Sequence, residues 1–155
     1  MKTVVITRQP ETFCEEFLNA LRQSMLVGIH GRNSSGKTRL AKDLIPVTGG
    51  THIEVDDFLS QPRDGRTYLE QVKEDELIKK ILTSARPVFL DSFIVLDVLE
   101  KINKQADYFI FCDRLTDESS FRFNQENEGT FDSYEERRNP RAAANKIFTF
   151  NMFWA

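Results

Sequence analysis

Residues Gly31 to Thr38 carry the clearest chemical pattern in this sequence, because they follow the spacing G-x-x-x-x-G-K-T. A loop that wraps around phosphate oxygens must turn several successive backbone N–H groups inward, and glycine permits the backbone angles and close approach that this requires. Lys37 would then bring a positive charge to the β- and γ-phosphates, and the Thr38 hydroxyl would bind Mg²⁺. The pattern predicts a loop that binds nucleotide phosphates together with Mg²⁺.

Two secondary-structure elements must hold this loop in place. Before it, the largely apolar segment 26–29 predicts a buried strand. After it, a helix is predicted from Lys37 to Ile45, with Pro46 as its end, and the free N–H groups of its first turn would face the bound anion. A glycine-containing turn that matches the motif by chance is the alternative, and the strand, loop and helix context argues against it.

Carboxylates follow three other predicted strands. Asp56 and Asp57 come after THIEV, Asp91 after VFL and Asp113 after YFIFC. Continuous apolar runs suit parallel strands that are covered on both faces. Strands that alternate with helices predict a doubly wound, mostly parallel α/β sheet, in which ligands lie beyond the carboxyl ends of the strands. We therefore expect the loop and these carboxylates on one edge of the sheet.

The remaining segments predict a single domain over residues 1–155. Amphipathic spacing predicts helices within 11–25, 69–86 and 95–102. Residues 1–6 form either a short strand or a frayed start, and 146–154 alternates like a last strand. The stretch 114–145 is polar and charged, which fits either a lid over the site or a helical hairpin whose charges pair on the surface.

Composition restricts the class of partner. The chain has 21 Lys and Arg against 24 Asp and Glu, so it lacks an overall basic field for nucleic acid or an anionic membrane. No segment approaches the ~20 apolar residues of a membrane helix or resembles a signal peptide. The partner is therefore expected to be a small molecule. Cys14 and Cys112 lack C-x-x-C spacing and are interpreted as reduced thiols, which favours a cytoplasmic protein.

Three segments together resemble the uridine kinase-like branch of the P-loop kinases, which includes the uridine, nicotinamide riboside and pantothenate kinases. They are GIHGRNSSGKTRLAKDL at 28–44, VDDFL at 55–59 and VFLDSF at 88–93, and the resemblance extends over residues 26–113. It implies a P-loop NTPase fold with flanking helices and a short lid. It also implies a reaction in which ATP, with Mg²⁺, phosphorylates a hydroxyl of a small, nucleoside-like acceptor.

The resemblance assigns roles to individual residues. Asp56 matches the carboxylate that contacts the acceptor hydroxyl in this family. Asp91 stands where the family usually has glutamate, one methylene longer, and with Thr38 it is expected to bind the metal. Arg122 matches one of the family's pair of lid arginines, so the predicted catalytic residues are Asp56, Lys37 and Arg122. The predicted nucleotide-binding residues are Gly31, Asn33, Ser34, Ser35, Gly36, Lys37, Thr38 and Arg39.

Structural roles are the alternative for several residues near this site. Asp56 or Asp57 could cap the turn that follows the strand, and Asp91 could accept hydrogen bonds from backbone N–H groups. His30 is interpreted as a packed or hydrogen-bonded residue, and Tyr68 as part of the core rather than a platform for a substrate ring.

Two features leave the function itself open. Members of the family continue after the last strand into a loop and helix that help to hold the base, whereas this sequence stops at Ala155. We therefore expect either weak base selectivity or a homo-oligomer in which a second subunit completes the pocket.

Because one lid arginine is matched rather than two, the alternative is a nucleotide-binding protein with weak or no transfer that acts as a regulatory module. A GTPase is less consistent, because the D-x-x-G and N-K-x-D motifs are absent.

Overall fold

A computed structural model describes residues 3–6, 13–32, 35–60, 66–114 and 125–150. Over these ranges the chain forms an α/β fold around an all-parallel sheet of six strands, which confirms the predicted α/β class and its parallel sheet. The strands are β1 Thr3–Ile6, β2 Leu26–His30, β3 Thr51–Glu54, β4 Val88–Asp91, β5 Tyr108–Arg114 and β6 Lys146–Phe150. The helices are α1 Glu15–Arg22, α2 Lys37–Thr48, α3 Tyr68–Gln71, α4 Glu74–Thr83, α5 Val95–Lys101, α6 Gln125–Arg138 and α7 Pro140–Ala143.

The spatial order of the strands is β1-β6-β5-β2-β4-β3. The strand that enters the glycine loop, β2, therefore lies between β4 and β5, and β3 forms one edge of the sheet. In this register Ile29 of β2 pairs with Asp91 of β4, and Asp91 also pairs with Glu54 of β3. The carboxyl ends of three strands are thus brought side by side.

Two apolar cores cover the two faces of the sheet. On one face, Val27 and Ile29 pack with Leu21 of α1 and with Leu40 and Leu44 of α2. On the other face, the sheet packs against residues of α4, α5 and α6. Full burial of such aliphatic side chains contributes about 1.5–3 kcal/mol each, so these cores fix β2 and α2, and with them the loop between the two.

Three predicted boundaries are wrong. Helix α2 does not end at Pro46 but continues to Thr48, because the Thr48 hydroxyl donates to Leu44 O at 2.8 Å and Gly49, in the left-handed conformation, donates its N–H to Ile45 O. The helix predicted within 69–86 is two helices, since an isolated bridge from Val72 to Leu59 interrupts it. The segment VDDF, 55–58, is a 3₁₀ helix that follows β3.

The described part of the charged stretch 114–145 is helical and docks on the rest of the domain. Arg137 and Arg138 of α6 both pair with Asp97 of α5, at 2.8 and 2.7 Å, and Arg141 pairs with Asp113 at 2.8 Å. These contacts pair arginines of this stretch with acidic residues of α5 and β5. The predicted lid residue Arg122 lies outside the described residues, and among the described helices none combines the length and apolar character needed to cross a membrane.

His30, the last residue of β2, connects three elements. Its side chain is fully buried, and its Nδ1 lies 2.8 Å from the Tyr134 hydroxyl of α6. That hydroxyl accepts a hydrogen bond from the Leu96 N–H of α5, so its own proton is best directed at His30 Nδ1. Burial, and secondarily the charge of Lys37, lower the pKa of His30 to about 3, so the imidazole is neutral. The packed role expected for this histidine fits these contacts.

The buried imidazole should make the free energy of unfolding depend on pH. Between about pH 6.5, where histidine protonates in an unfolded chain, and pH 3, the unfolded state binds more protons than the folded state. Stability should therefore fall with decreasing pH, by up to about 1.4 kcal/mol per pH unit, and should not change from this cause above pH 6.5. Urea unfolding of the wild type and of His30→Gln at pH 7, 6 and 5 measures the difference.

The matched control is His52→Gln, which removes the other histidine of the chain. In His52→Gln, the free energy of unfolding should still fall steeply with decreasing pH, whereas in His30→Gln this steep dependence on pH should be lost. If the stabilities of His30→Gln and the wild type change in parallel with pH, the imidazole does not resist protonation as the buried site requires.

Candidate functional site

The backbone angles at Gly31 and Gly36 suit the glycines of the predicted phosphate-binding motif. Gly31 has φ of 153°, and a Cβ at this position would lie 2.3 Å from the Cys112 carbonyl oxygen of β5. Gly36 has φ of 94°, in the left-handed region that favours glycine. The Ser35 side chain is buried, and its Oγ has no hydrogen-bond partner within the described residues. Asn33 and Ser34 lie outside those residues.

A small cavity of about 150 Å³ opens beside this loop at the carboxyl edge of the sheet. Its walls come from the start of α2, the end of β3, the 3₁₀ helix and the segment after β4. The lining residues are Lys37, Thr38, Glu54, Asp56, Asp91, Ser92 and Phe93. Four predicted site residues are therefore brought together, whereas Asp57 and Arg39 are exposed and do not line the cavity.

Lys37 supplies the positive charge of the cavity. Its side chain is 9 % exposed, and Nζ donates a hydrogen bond to the Arg32 carbonyl oxygen at 2.9 Å. Burial lowers the pKa of Lys37, and the negative charges of Asp91 and Asp56 act in the opposite direction. A buried ammonium group is a suitable partner for an anion.

The Arg32 side chain ties the loop to α6. Its guanidinium donates to Asp132 at 2.6 Å and lies 4.7 Å from the centre of the Phe131 ring. Arg32 therefore contacts Lys37 through its backbone and α6 through its side chain. The sequence motif does not specify a partner for this position.

The Thr38 hydroxyl lies between two carboxylates. Thr38 Oγ1 is 2.9 Å from Glu54 Oε1 and 2.9 Å from Asp91 Oδ2. One hydroxyl carries one proton, so it cannot donate fully to both carboxylates at the same time. Asp91 is buried and also accepts a hydrogen bond from His52 Nε2 at 3.1 Å. The shorter Asp91 side chain thus reaches Thr38.

Asp56 faces the cavity from the 3₁₀ helix. Its side chain is exposed, and its Oδ1 accepts a hydrogen bond from the Tyr68 hydroxyl at 2.6 Å. Asp113, which was expected on the same edge, lies within β5 and pairs with Arg141 instead. The carboxylates that follow the predicted strands therefore have separate roles.

Sequence analysis did not identify Glu54, His52 or a polar role for Tyr68. His52 and Glu54 are two residues apart on β3, so their side chains point to the same side of that strand. Their proximity to Asp91 depends on β3 pairing with β4, which strand patterns alone do not determine. Asp56 and Tyr68 are twelve residues apart, and no periodic pattern in the sequence between them indicates that the two side chains meet.

The described residues include no set of three or more His, Cys, Asp or Glu side chains that could hold a metal ion by itself. Any metal at Thr38 would need ligands from a bound phosphate or from water. No known family model matches the chain, and no curated protein matches it either.

The Thr38 hydroxyl should contribute measurably to stability. Thr38→Val keeps the shape of the side chain and leaves Glu54 and Asp91 without the proton between them. We expect the free energy of unfolding to fall by about 1.5–3 kcal/mol, the range for hydrogen bonds to charged groups. Thr38→Ser retains the hydroxyl and should keep most of this stability in urea denaturation at neutral pH. Equal stabilities of the two variants would contradict the bridging role.

Proposed function

We propose that this protein is an ATP-dependent kinase that transfers the γ-phosphoryl group of ATP to a hydroxyl of a small, nucleoside-like molecule. The observation that carries the proposal is the convergence of Lys37, Thr38, Asp56 and Asp91 on one cavity at the carboxyl edge of a parallel sheet. Phosphoryl transfer depends on the positioning of charged groups around the phosphates and the acceptor. Together with the resemblance to uridine kinase-like proteins, this arrangement favours a P-loop NTPase fold.

The phosphate side of the proposal is supported by the loop 31–38 and the start of α2. Gly31 and Gly36 have backbone angles that suit a loop folded around an anion, and the buried Ser35 hydroxyl lacks a partner within the described residues. The first turn of α2 adds backbone N–H groups that face outward from the helix end. Lys37, whose ammonium is held by a neutral carbonyl, would exchange that partner for phosphate oxygens.

The groups around Thr38 fit Mg²⁺. This ion prefers oxygen ligands, keeps several waters, and in phosphoryl-transfer sites is usually held by one or two carboxylates together with substrate phosphates. Thr38 Oγ1 and Asp91 Oδ2 would hold it, and Glu54 adds a second carboxylate at the same distance from Thr38. When bound, Mg²⁺ would neutralise negative charge on the phosphates.

Asp56 is the residue proposed to act on the acceptor. Its carboxylate would accept the proton of the acceptor hydroxyl as that oxygen forms a bond to the γ-phosphorus. The bond from this phosphorus to the β,γ-bridging oxygen breaks, and ADP leaves with that oxygen. Lys37 would stabilise the charge on the phosphate oxygens throughout. A role for Arg122 stays a prediction.

The site of action proposed for this kinase is the cytoplasm. Cys14 is exposed and Cys112 is buried, and both are free thiols. Free thiols persist in reducing compartments such as the cytoplasm.

Lys37 should account for most of the affinity for ATP. Lys37→Ala should weaken ATP binding ~10- to 100-fold, the equivalent of one charge-assisted hydrogen-bond set, while circular dichroism shows a retained fold. Lys42→Ala, on the exposed side of the same helix, is the matched control and should bind ATP like the wild type. Isothermal titration calorimetry with Mg²⁺ and with EDTA measures both variants. Equal affinities of Lys37→Ala and Lys42→Ala would overturn the phosphate-binding role.

Asp56 should matter for turnover rather than for nucleotide binding. Asp56→Asn preserves the size of the side chain and removes the base, so the rate should fall ~10²-fold or more with little change in ATP affinity. Asp57→Asn is the matched control, because Asp57 is exposed and does not line the cavity. ADP release is measured over a panel of nucleosides, nicotinamide riboside and pantothenate.

Two outcomes would change the proposal. A larger loss of rate in Asp57→Asn than in Asp56→Asn would move the acceptor role to Asp57. Tight ATP binding by the wild type without turnover of any acceptor would instead favour the alternative function, a nucleotide-binding regulatory module with weak or no transfer.

A further inference from the structure

The hydrogen bond between Tyr68 and Asp56 joins the candidate acceptor side of the site to a short helix. The Tyr68 hydroxyl donates to Asp56 Oδ1 at 2.6 Å and lies 3.4 Å from Ser92 Oγ. Burial, together with the charge of Asp56, raises the pKa of Tyr68 well above its usual range. The phenol therefore stays protonated at physiological pH, and it acts as the donor in this pair.

The ring of Tyr68 is fixed by the segment after β4. It packs edge-on against Phe93, with ring centroids 4.7 Å apart and planes at 81°. This geometry is one of the preferred arrangements for aromatic pairs. Because Phe93 also lines the cavity, the same contact orients the hydroxyl toward the site.

The backbone of α3 is held at both ends. At its start, Thr67 and Glu70 form a capping box, in which each side chain bonds the backbone N–H of the other residue. At its end, Ser60 N–H donates to Gln71 O at 2.8 Å, and Lys73 N–H donates to Phe58 O at 2.7 Å. The Lys101 ammonium of α5 also donates to Leu69 O. A helix of four residues is thereby fixed relative to the 3₁₀ helix that carries Asp56.

Asp56 itself has little else to orient its carboxylate. Asp56 is exposed. Within the described residues, its carboxylate accepts one hydrogen bond, which comes from the Tyr68 hydroxyl. An exposed aspartate without such a donor would sample several rotamers. With Oδ1 bonded to Tyr68, Oδ2 is the oxygen left for another partner.

We propose that Tyr68 is a positioning residue, whose hydroxyl fixes the Asp56 carboxylate so that Oδ2 faces the acceptor hydroxyl. This inference rests on the proposed kinase function. Tyr68 acts through Asp56 and takes no proton in the reaction. Its contribution should appear in the rate of transfer, because a misplaced base lowers the rate without changing how the nucleotide binds.

The first experiment is a double-mutant cycle. Tyr68→Phe keeps the ring on Phe93 and removes the donor, and we expect kcat to fall ~10-fold while ATP affinity and the KM for ATP stay unchanged. In an Asp56→Asn background the same substitution should have no further effect on kcat. Tyr108→Phe, on a half-buried tyrosine that packs against Phe17 far from the cavity lining, is the matched control and should leave kcat unchanged.

The second experiment does not require an acceptor. The chain has three tyrosines, so ¹³C labelling at tyrosine Cζ gives a small set of NMR signals that Tyr→Phe variants assign. Asp56→Asn should shift the Tyr68 signal and leave those of Tyr108 and Tyr134 in place, whereas Asp57→Asn should shift none of them. An unshifted Tyr68 signal in Asp56→Asn would overturn the inference, whatever the turnover.

The two proposals fail in different ways. If the wild type phosphorylates an acceptor but Tyr68→Phe has wild-type kcat, or if the effects of Tyr68→Phe and Asp56→Asn multiply, the positioning role is wrong and the kinase function stands. If the wild type phosphorylates no acceptor of the panel, the kinase function fails, and the catalytic positioning role fails with it.

Discussion

The parallel pairing of β4 with both β2 and β3 is the constraint on which the candidate site depends. It brings the end of β4, at Asp91, next to the loop that follows β2 and to Glu54 at the end of β3. Adjacent strands lie about 4.8 Å apart, so side chains from strand ends in this register meet without any distortion of the backbone. The Thr38 hydroxyl at the start of α2 then fits between the two carboxylates.

Charge balance within the cavity follows from this packing. Three carboxylates, Glu54, Asp56 and Asp91, surround one ammonium, that of Lys37. A buried charge is costly unless oppositely charged or hydrogen-bonding groups surround it. Lys37 has both kinds of group around its ammonium. The excess of negative charge over positive charge is the physical reason that a cation bound here would lower the electrostatic energy of the site.

Local patterns in the sequence were sufficient for the parts of the site that are continuous in the chain. The strand, loop and helix around Lys37 could be predicted because apolar periodicity and glycine spacing lie within about twenty residues. Asp56 and Asp91 could be predicted as site residues because each comes directly after a run of residues with a strand pattern in the sequence. Glu54 was missed because its role depends on which strand lies beside β3, and Tyr68 because its hydroxyl meets Asp56 through a pair of short helices. The end of α2 was misjudged because Pro46 falls in a last turn that Thr48 and Gly49 stabilise.

The position of β2 within the sheet has a consequence for the dynamics of the two halves of the cavity. The half formed by Lys37 and Thr38 belongs to α2, which packs on β2, a strand that has neighbours on both sides and apolar cores on both faces. The backbone of this half should therefore open only when the sheet itself unfolds. The half that carries Asp56 and Tyr68 is attached to β3, an edge strand, and to helices of four residues. Such segments open at a smaller free-energy cost, and their amide hydrogens exchange sooner. The backbone on the Lys37 and Thr38 side of the cavity should therefore be rigid. The backbone on the Asp56 side can change conformation while the rest of the protein stays folded.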